Sequence, residues 1–193
     1  MNRRLDIQKT YKLYINGKFP RTESGRYFPI NDKDGNLSAN MCRASRKDFR
    51  EAVKAARSAV TGWSSKTAHN RGQILYRTAE TLEGRKEQFI RELITFEMSR
   101  KKATTEVETA LDRLVYYAGW ADKYQTLFSS VNPVSSSHYN FSVPEYQGVI
   151  ALIAPNDNPF LGLISLIAPA LAGGNTVVCL APEKWPLSAI SFG

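Results

Sequence analysis

Apolar and polar residues alternate through the segment KLYINGKF around Asn16-Gly17, the dipeptide that most strongly favours a two-residue hairpin turn. From Thr22 to Asn40 the chain becomes polar and turn-rich, with Asp34-Gly35 as a second turn. The period then changes to that of helices. Ser45, with Asp48 three residues on, predicts a boxed helix start. Phe49, Val53, Ala56 and Val60 predict one apolar face, which Gly62 ends. Ile74, Leu75, Ala79 and Leu82 predict a second helix from about Asn70, stopped at Gly84. Phe89, Ile90, Leu93 and Ile94 predict a third. Val107, Leu111, Leu114, Val115, Ala118 and Ala121 recur at 3–4 spacing and predict a long fourth helix, reaching about Phe128. Stripes of this kind belong to helices packed against one another.

At Ser129 the pattern changes again. SSVNPVSSS has the composition of a linker. HYNFSV alternates as a strand does, whereas GVIALIAP is continuously apolar, the pattern of a strand buried on both faces. Asn158-Pro159 offers a helix cap followed by Pro at the first helical position. The apolar run Phe160–Ala172 then meets Gly173-Gly174, a strong stop, and NTVVCLA is the next buried strand. Strand, helix and strand at this spacing form a βαβ unit, so a parallel α/β sheet is expected, with Pro186, Leu187 and Ser188 opening one more helix. Two buried strands do not complete such a sheet. The expected organisation is therefore the front of a larger fold: a hairpin and helical part over 1–128, a linker and arm strand over 129–147, and a first βαβ over 148–193.

Composition narrows the class. The chain has 193 residues, 42% apolar and 23% charged, well inside the globular range. Its net charge of +8 is uneven: residues 1–128 carry 25 basic and 15 acidic side chains, residues 129–193 one Lys against Glu145, Asp157 and Glu183. The basic residues are spread over several helices and interleaved with acids (SRKDFR, EGRKEQ, MSRKK), as on solvated helix faces, and no nucleic-acid motif accompanies them. Two cysteines, Cys42 and Cys179, exclude a disulfide framework, and no spacing suits a metal. MNRRLDIQKT lacks the apolar run of a signal peptide. The 13 uncharged residues Phe160–Ala172 reach about 20 Å as a helix, short of a bilayer core of about 30 Å. A cytoplasmic location is expected.

The run GVIALIAPNDNPFLGLISLIAPALAGGNTVVCLAPEKWPLSA resembles the start of the cofactor-binding domain of the aldehyde dehydrogenase superfamily, in which I-x-P-W-N-F-P, an apolar helix, A-L-A-x-G-N-T-V-V and K-P-x-E-x-x-P follow in order. YINGKF, the helix ending near Gly62-Trp63, NRGQILYRTAETLE and the long fourth helix keep the family's order too, so the resemblance covers about Tyr11 to Gly193. YKLYINGKFPRTESGR is most similar to the degenerate, non-catalytic second half of the superfamily's two-domain members. The resemblance implies an aldehyde-dehydrogenase-like α/β fold, incomplete here, with a helical N-terminal layer followed by the first βαβ of a Rossmann-like sheet. It also implies NAD or NADP as cofactor, and oxidation of aldehydes to acids by the intact active members, through a Cys nucleophile and a Glu base that lie downstream of this window. The place of SHYNFSV is that of the family's oligomerisation arm, so a homo-oligomer, or the remainder of a longer chain, is the expected partner.

The departures from that pattern are specific. The resemblance assigns Ile153, Ala154, Pro155, Asn156, Asp157, Leu180 and Glu183 to the cofactor and oxyanion wall. Asn156 stands where the family has Trp. Asp157 stands where it has the Asn that helps to hold the oxyanion, and losing one such donor costs about 10²–10³ in rate. Asn-Asp-Asn also reads simply as an Asx-type turn before a helix. Leu180 aligns with the Lys that binds the adenosine ribose, Glu183 matches the Glu that binds the same ribose, and Lys184 lies beyond Pro182. A plain strand-to-helix loop is the alternative for this second segment. Cys179 lies within a strand and Cys42 has Arg43 beside it but no neighbouring His, since His69 and His138 fall in separate loops. No nucleophile with a paired base is visible, and the chain by itself is expected to be inactive. The competing expectation is a non-catalytic domain used for assembly.

Overall fold

The structure is a computed structural model that describes residues 9–95 and 98–193. The reading of MNRRLDIQKT as lacking a signal segment falls mostly on positions 1–8, which lie outside the described residues. Strands β1 (Thr10–Tyr11), β2 (Tyr27–Asn31) and β3 (Leu37–Cys42) form a small sheet in the order β1-β3-β2, with β1 parallel and β2 antiparallel to β3. Between β1 and β2 the Asn16-Gly17 turn forms as expected: both residues have positive φ, and Ile15 and Lys18 exchange backbone hydrogen bonds. The hairpin closes no further than Leu13 N–H to Pro20 O at 3.0 Å.

The polar stretch expected to be turns from Thr22 to Asn40 is instead a second hairpin, β2–β3, around Asp34-Gly35. Pro29 conceals it in the sequence. A proline is tolerated here because β2 is the edge strand and needs no donor on its outer side.

Four helices follow: α1 (Arg46–Ser64), α2 (Ala68–Gly84), α3 (Lys86–Ile94) and α4 (Arg100–Trp120). Ser45 caps α1 through the amides of Lys47 and Asp48, and the Asp48 carboxylate returns to the Ser45 N–H at 2.7 Å. Asp48 also receives the Thr22 hydroxyl and the Glu23 amide, fastening the loop before β2 to the start of α1. Burial alone would raise its pKa, but the hydrogen bonds from Thr22, Ser45 and Glu23 outweigh that and hold the carboxyl low. The expected stripe on α1 is only partly buried. Phe49 is exposed, and the helix buries Asp48 and Ala56 while running through Gly62, a glycine that costs too little to stop a packed helix. Ile74 and Val115 likewise face solvent at the rims of their stripes.

The fourth helix ends at Trp120, earlier than its pattern suggests. A turn at 121–123 separates it from the short α5 (Tyr124–Phe128), whose Leu127 and Phe128 are exposed and so give the helix no packing to continue for. Within the supposed linker, Ser130–Asn132 is strand β4, paired antiparallel with β5 (Asn140–Ser142); the Asn132 side chain donates to Asn140 and Ser142 across the pair.

The C-terminal part is the expected parallel crossover. Strand β6 (Val149–Ile153), helix α6 (Pro159–Ala172) and strand β7 (Thr176–Leu180) are followed by α7 (Pro186–Phe192), with Val149 opposite Thr176 and Ile153 opposite Leu180. The two strands are not buried on both faces as their composition suggests: Ile153 is 76% and Leu180 62% exposed. The main core unites α2, α3, α4 and α6 around Leu75, Phe89, Ile90, Leu93, Val107, Leu114, Phe160 and Ile164, with Phe89 and Phe160 stacked 4.8 Å apart. A smaller core of Ile30, Ala39, Met41 and Leu187 seats the N-terminal sheet on α7. Among the described residues, no helix is long and apolar enough to cross a membrane.

Gly162 is required by a close approach. A Cβ there would collide with Cγ and Cδ of Pro155, the residue that leads from β6 into α6. Gly162→Ala therefore destabilises the fold, by about 1–3 kcal/mol, because the clash exceeds the gain of about 1 kcal/mol in helix propensity. Thermal unfolding of the two chains checks this; an unchanged or higher midpoint in the alanine variant contradicts the packing described.

Candidate nucleotide and oxyanion loops

The carboxyl ends of parallel strands are where an open α/β sheet forms its crevice. Here two loops meet at that end, residues 154–158 after β6 and residues 181–185 after β7. Ala154 is buried and continues the pairing by donating its N–H to Leu180 O at 3.0 Å. Pro155, Asn156 and Asp157 then turn outward into solvent. Asn156 ties the loops together: its Oδ1 accepts the Lys184 N–H at 3.1 Å. Ile153 and Leu180 end their strands side by side with exposed side chains, and Glu183 is exposed one loop away. All seven residues assigned from the sequence thus fall on these two strand ends and the loops that follow them. Cys42, on β3, and the histidines, on the first turn of α2 and between β4 and β5, belong to other elements.

Helix α6 is set against this loop pair by groups from elsewhere. Asn158 occupies the cap position but has φ 48° and makes no side-chain cap, contrary to the Asx reading. The cap comes from α4. Glu106, only 4% exposed, accepts the N–H groups of Phe160 at 2.8 Å and Leu161 at 3.2 Å through Oε1, while its buried Oε2 has no hydrogen-bond partner. Burial pushes the Glu106 carboxyl up, against the lowering effects of the Leu161 and Phe160 amides and of Lys102. Sequence reasoning passed over Glu106. The available signal was an acid inside the apolar stripe Ala103, Val107, Ala110, Leu111 and Leu114.

At the other end of α6, Arg71 donates Nε–H to Ala172 O at 3.1 Å and Nη1–H to Lys66 O at 2.6 Å, and Trp63 donates its indole N–H to Leu171 O at 3.0 Å. Asn175 then joins α6 to β6, its Oδ1 accepting the Gln147 and Gly148 amides and its Nδ2 donating to Ala170 O. The ALAGGNTVV segment is thereby explained residue by residue: small residues pack, two glycines stop the helix, and the Asn fastens the stop to the neighbouring strand.

A family profile described as the aldehyde dehydrogenase family matches residues 20–193. The chain belongs to the aldehyde dehydrogenase family. Mitochondrial 10-formyltetrahydrofolate dehydrogenase from Homo sapiens is 33% identical over 96% of this chain and 21% of its own length, and retinal dehydrogenase 2 from Gallus gallus is 34% identical over 98% and 37%. The NAD+ complex of aldehyde dehydrogenase from Bacillus cereus superposes with a TM-score of 0.89 at 28% identity, covering 95% of this chain and 38% of that one. PnpE in complex with nicotinamide adenine dinucleotide gives 0.89 at 29%, covering 94% and 37%. The chain thus spans about a fifth to two-fifths of the length of these aldehyde dehydrogenase relatives, and its fold is the N-terminal portion of theirs.

In this aldehyde dehydrogenase portion Cys179 lies inside β7, opposite Leu152. Burial pushes its thiol up to about 11, more than the Ala154 backbone contact lowers it. A thiol with that pKa carries only about one thiolate in 10⁴ at pH 7. Cys179 should resist iodoacetamide at neutral pH and react at least tenfold faster once the chain is unfolded in urea, as followed by mass spectrometry of its peptide. Equal rates in the two states would refute its assignment to the strand interior.

Proposed function

We propose that this chain builds the N-terminal part of an aldehyde dehydrogenase-type cofactor domain in a longer cytoplasmic protein, with a dinucleotide site reduced from the family's pattern. The observation that carries the reading is the crossover itself: two loops at the carboxyl ends of paired parallel strands, tied to each other by Asn156 and Lys184. NAD(P)-dependent oxidation of aldehydes to acids is the activity this family resemblance attaches to the whole protein. The resemblance puts the catalytic Cys and Glu of that activity downstream of these residues.

The donor set decides how well the cofactor fits. Glu183 is exposed and offers a carboxylate to ribose hydroxyls. Leu180 presents an exposed apolar side chain where the family resemblance puts an ammonium. Lys184 lies beyond buried Pro182, with its amide engaged by Asn156. One acceptor without a cation does not fit NADP, whose 2′-phosphate would meet the Glu183 charge alone, and it holds NAD weakly. Asp157, as a carboxylate, accepts hydrogen bonds and repels an oxyanion, so the loop does not supply the family's stabilising amide.

A second reading has its own support. The hairpin of β4 and β5 is a two-stranded sheet carrying exposed Val131, Phe141 and Tyr139, the last 73% exposed. An edge strand with apolar neighbours pairs readily with another chain. On this reading the domain is a pseudoenzyme kept for homo-oligomer assembly, and the losses at Asp157 and Leu180 carry no penalty.

A nucleotide titration separates the two. A charged hydrogen bond contributes about 1.5–3 kcal/mol, so Leu180→Lys should tighten NAD binding roughly 10- to 100-fold. Micromolar NAD affinity in the unsubstituted protein, unchanged by Leu180→Lys, would show that the loop is misassigned. No NAD binding by either protein, with concentration-dependent association in sedimentation that Phe141→Asp abolishes, would select the assembly reading.

A further inference from the structure

We propose that Glu106 is a positioning residue: from α4 it holds the first turn of α6 and, through that turn, the loop Pro155–Asn158. The role rests on reading that loop as the family's oxyanion and cofactor loop. Its geometry does not depend on that reading.

Three contacts make the chain of restraint. Glu106 Oε1 receives the Phe160 and Leu161 amides, two of the first donors of α6, which Asn158 leaves uncapped. The next amide, Gly162 N–H, closes onto Asn158 O at 2.7 Å, so the last loop residue is bonded into the same turn. The ring of Pro155 lies against the bare Cα face of Gly162, so the first loop residue rests on that turn as well. Both ends of the loop are therefore referenced to a helix turn whose first amides one carboxylate of α4 receives. Asn156 passes the restraint on to the Lys184 amide in the second loop.

Glu106 occupies a costly position. A buried carboxylate oxygen without a partner is retained at a penalty that an apolar residue in the stripe would avoid. Packing of α4 on α6 alone asks for no acid there. Two buried backbone amides do ask for an acceptor, since unpaired donors are among the most expensive groups to bury. The charges that bear on Glu106 are few. Lys102, one turn earlier on α4, acts on it, α6 carries no ionisable side chain, and Asp157 in the loop is exposed.

The assay uses the ¹⁵N-labelled full chain, without nucleotide, so its outcome is independent of cofactor binding. In the unsubstituted protein the amide resonances of Phe160 and Leu161 should titrate together. Their midpoint should lie above the usual carboxyl value of 4.5, because burial is the dominant influence on Glu106. Glu106→Gln keeps an acceptor oxygen and removes the titration, so protection of both amides from exchange should survive while their pH dependence vanishes. Glu106→Ala should lower that protection by about tenfold or more and shift the resonances of Asn156, Asp157, Asn158 and Lys184, with helices α1 and α2 unmoved. If Glu106→Ala does not fold, the retained protection and lost titration in Glu106→Gln still test the proposal. Titration persisting in the Gln variant overturns it. So does an Ala variant whose loop resonances stay in place, or one that loses protection uniformly throughout the chain. An NAD titration of the same three proteins is a separate measurement, and a null result there bears only on the cofactor reading.

Discussion

The structure depends on how one uncharged helix is held at both ends. Helix α6 brings no ionisable group of its own, yet its first amides end on the Glu106 carboxylate and its last carbonyls on the Arg71 guanidinium and the Trp63 indole. Backbone groups buried at helix ends are expensive unless paired. Each partner comes from a different helix: Trp63 from α1, Arg71 from α2 and Glu106 from α4. The N-terminal helices therefore do more than cover the crossover. They supply the polar ends it lacks, and the helices and the β6–β7 crossover share one core around Phe89 and Phe160.

The same logic places the small N-terminal sheet. Thr22 and Glu23 reach the Asp48 carboxylate at the start of α1, and Leu187 of α7 fills the gap beneath Ile30 and Met41. The N-terminal sheet and its loop meet the helices through one buried hydrogen-bonded acid and a small apolar cluster. Far from these ties, at α5 and the β4–β5 hairpin, large apolar side chains remain in solvent and the chain takes short elements.

Much of this was legible in the sequence because local signals and tertiary packing agree. Asn16-Gly17, the Ser45–Asp48 box, the Gly173-Gly174 stop and the βαβ spacing each specify one local conformation, and that conformation forms. The readings that failed are those decided by neighbours distant in the chain. Pro29 looks like a strand breaker until β2 is known to be an edge. Asn158 looks like a cap until Glu106 arrives from fifty residues away and the backbone at Asn158 turns left-handed. Leu127 and Phe128 look like the end of an apolar stripe, but nothing packs on them. In the candidate site the positions came from the family resemblance, and they lie on two strand ends and the loops that follow. Glu106 was hidden because an acid in an apolar stripe gains a meaning only when its partners on another helix are known.

The occupancy of the α6 start also changes what that helix offers a ligand. A helix N-terminus commonly serves as an anion cradle, its free amides and positive dipole end receiving a phosphate. At α6 that berth is filled from within: two amides are spent on Glu106, and a carboxylate stands where a visiting anion would have to settle. A pyrophosphate approaching this end would compete with an internal group of its own sign, fixed in place at no translational cost. The start of α6, unlike a bare helix N-terminus, therefore keeps neither of these amides free for a phosphate.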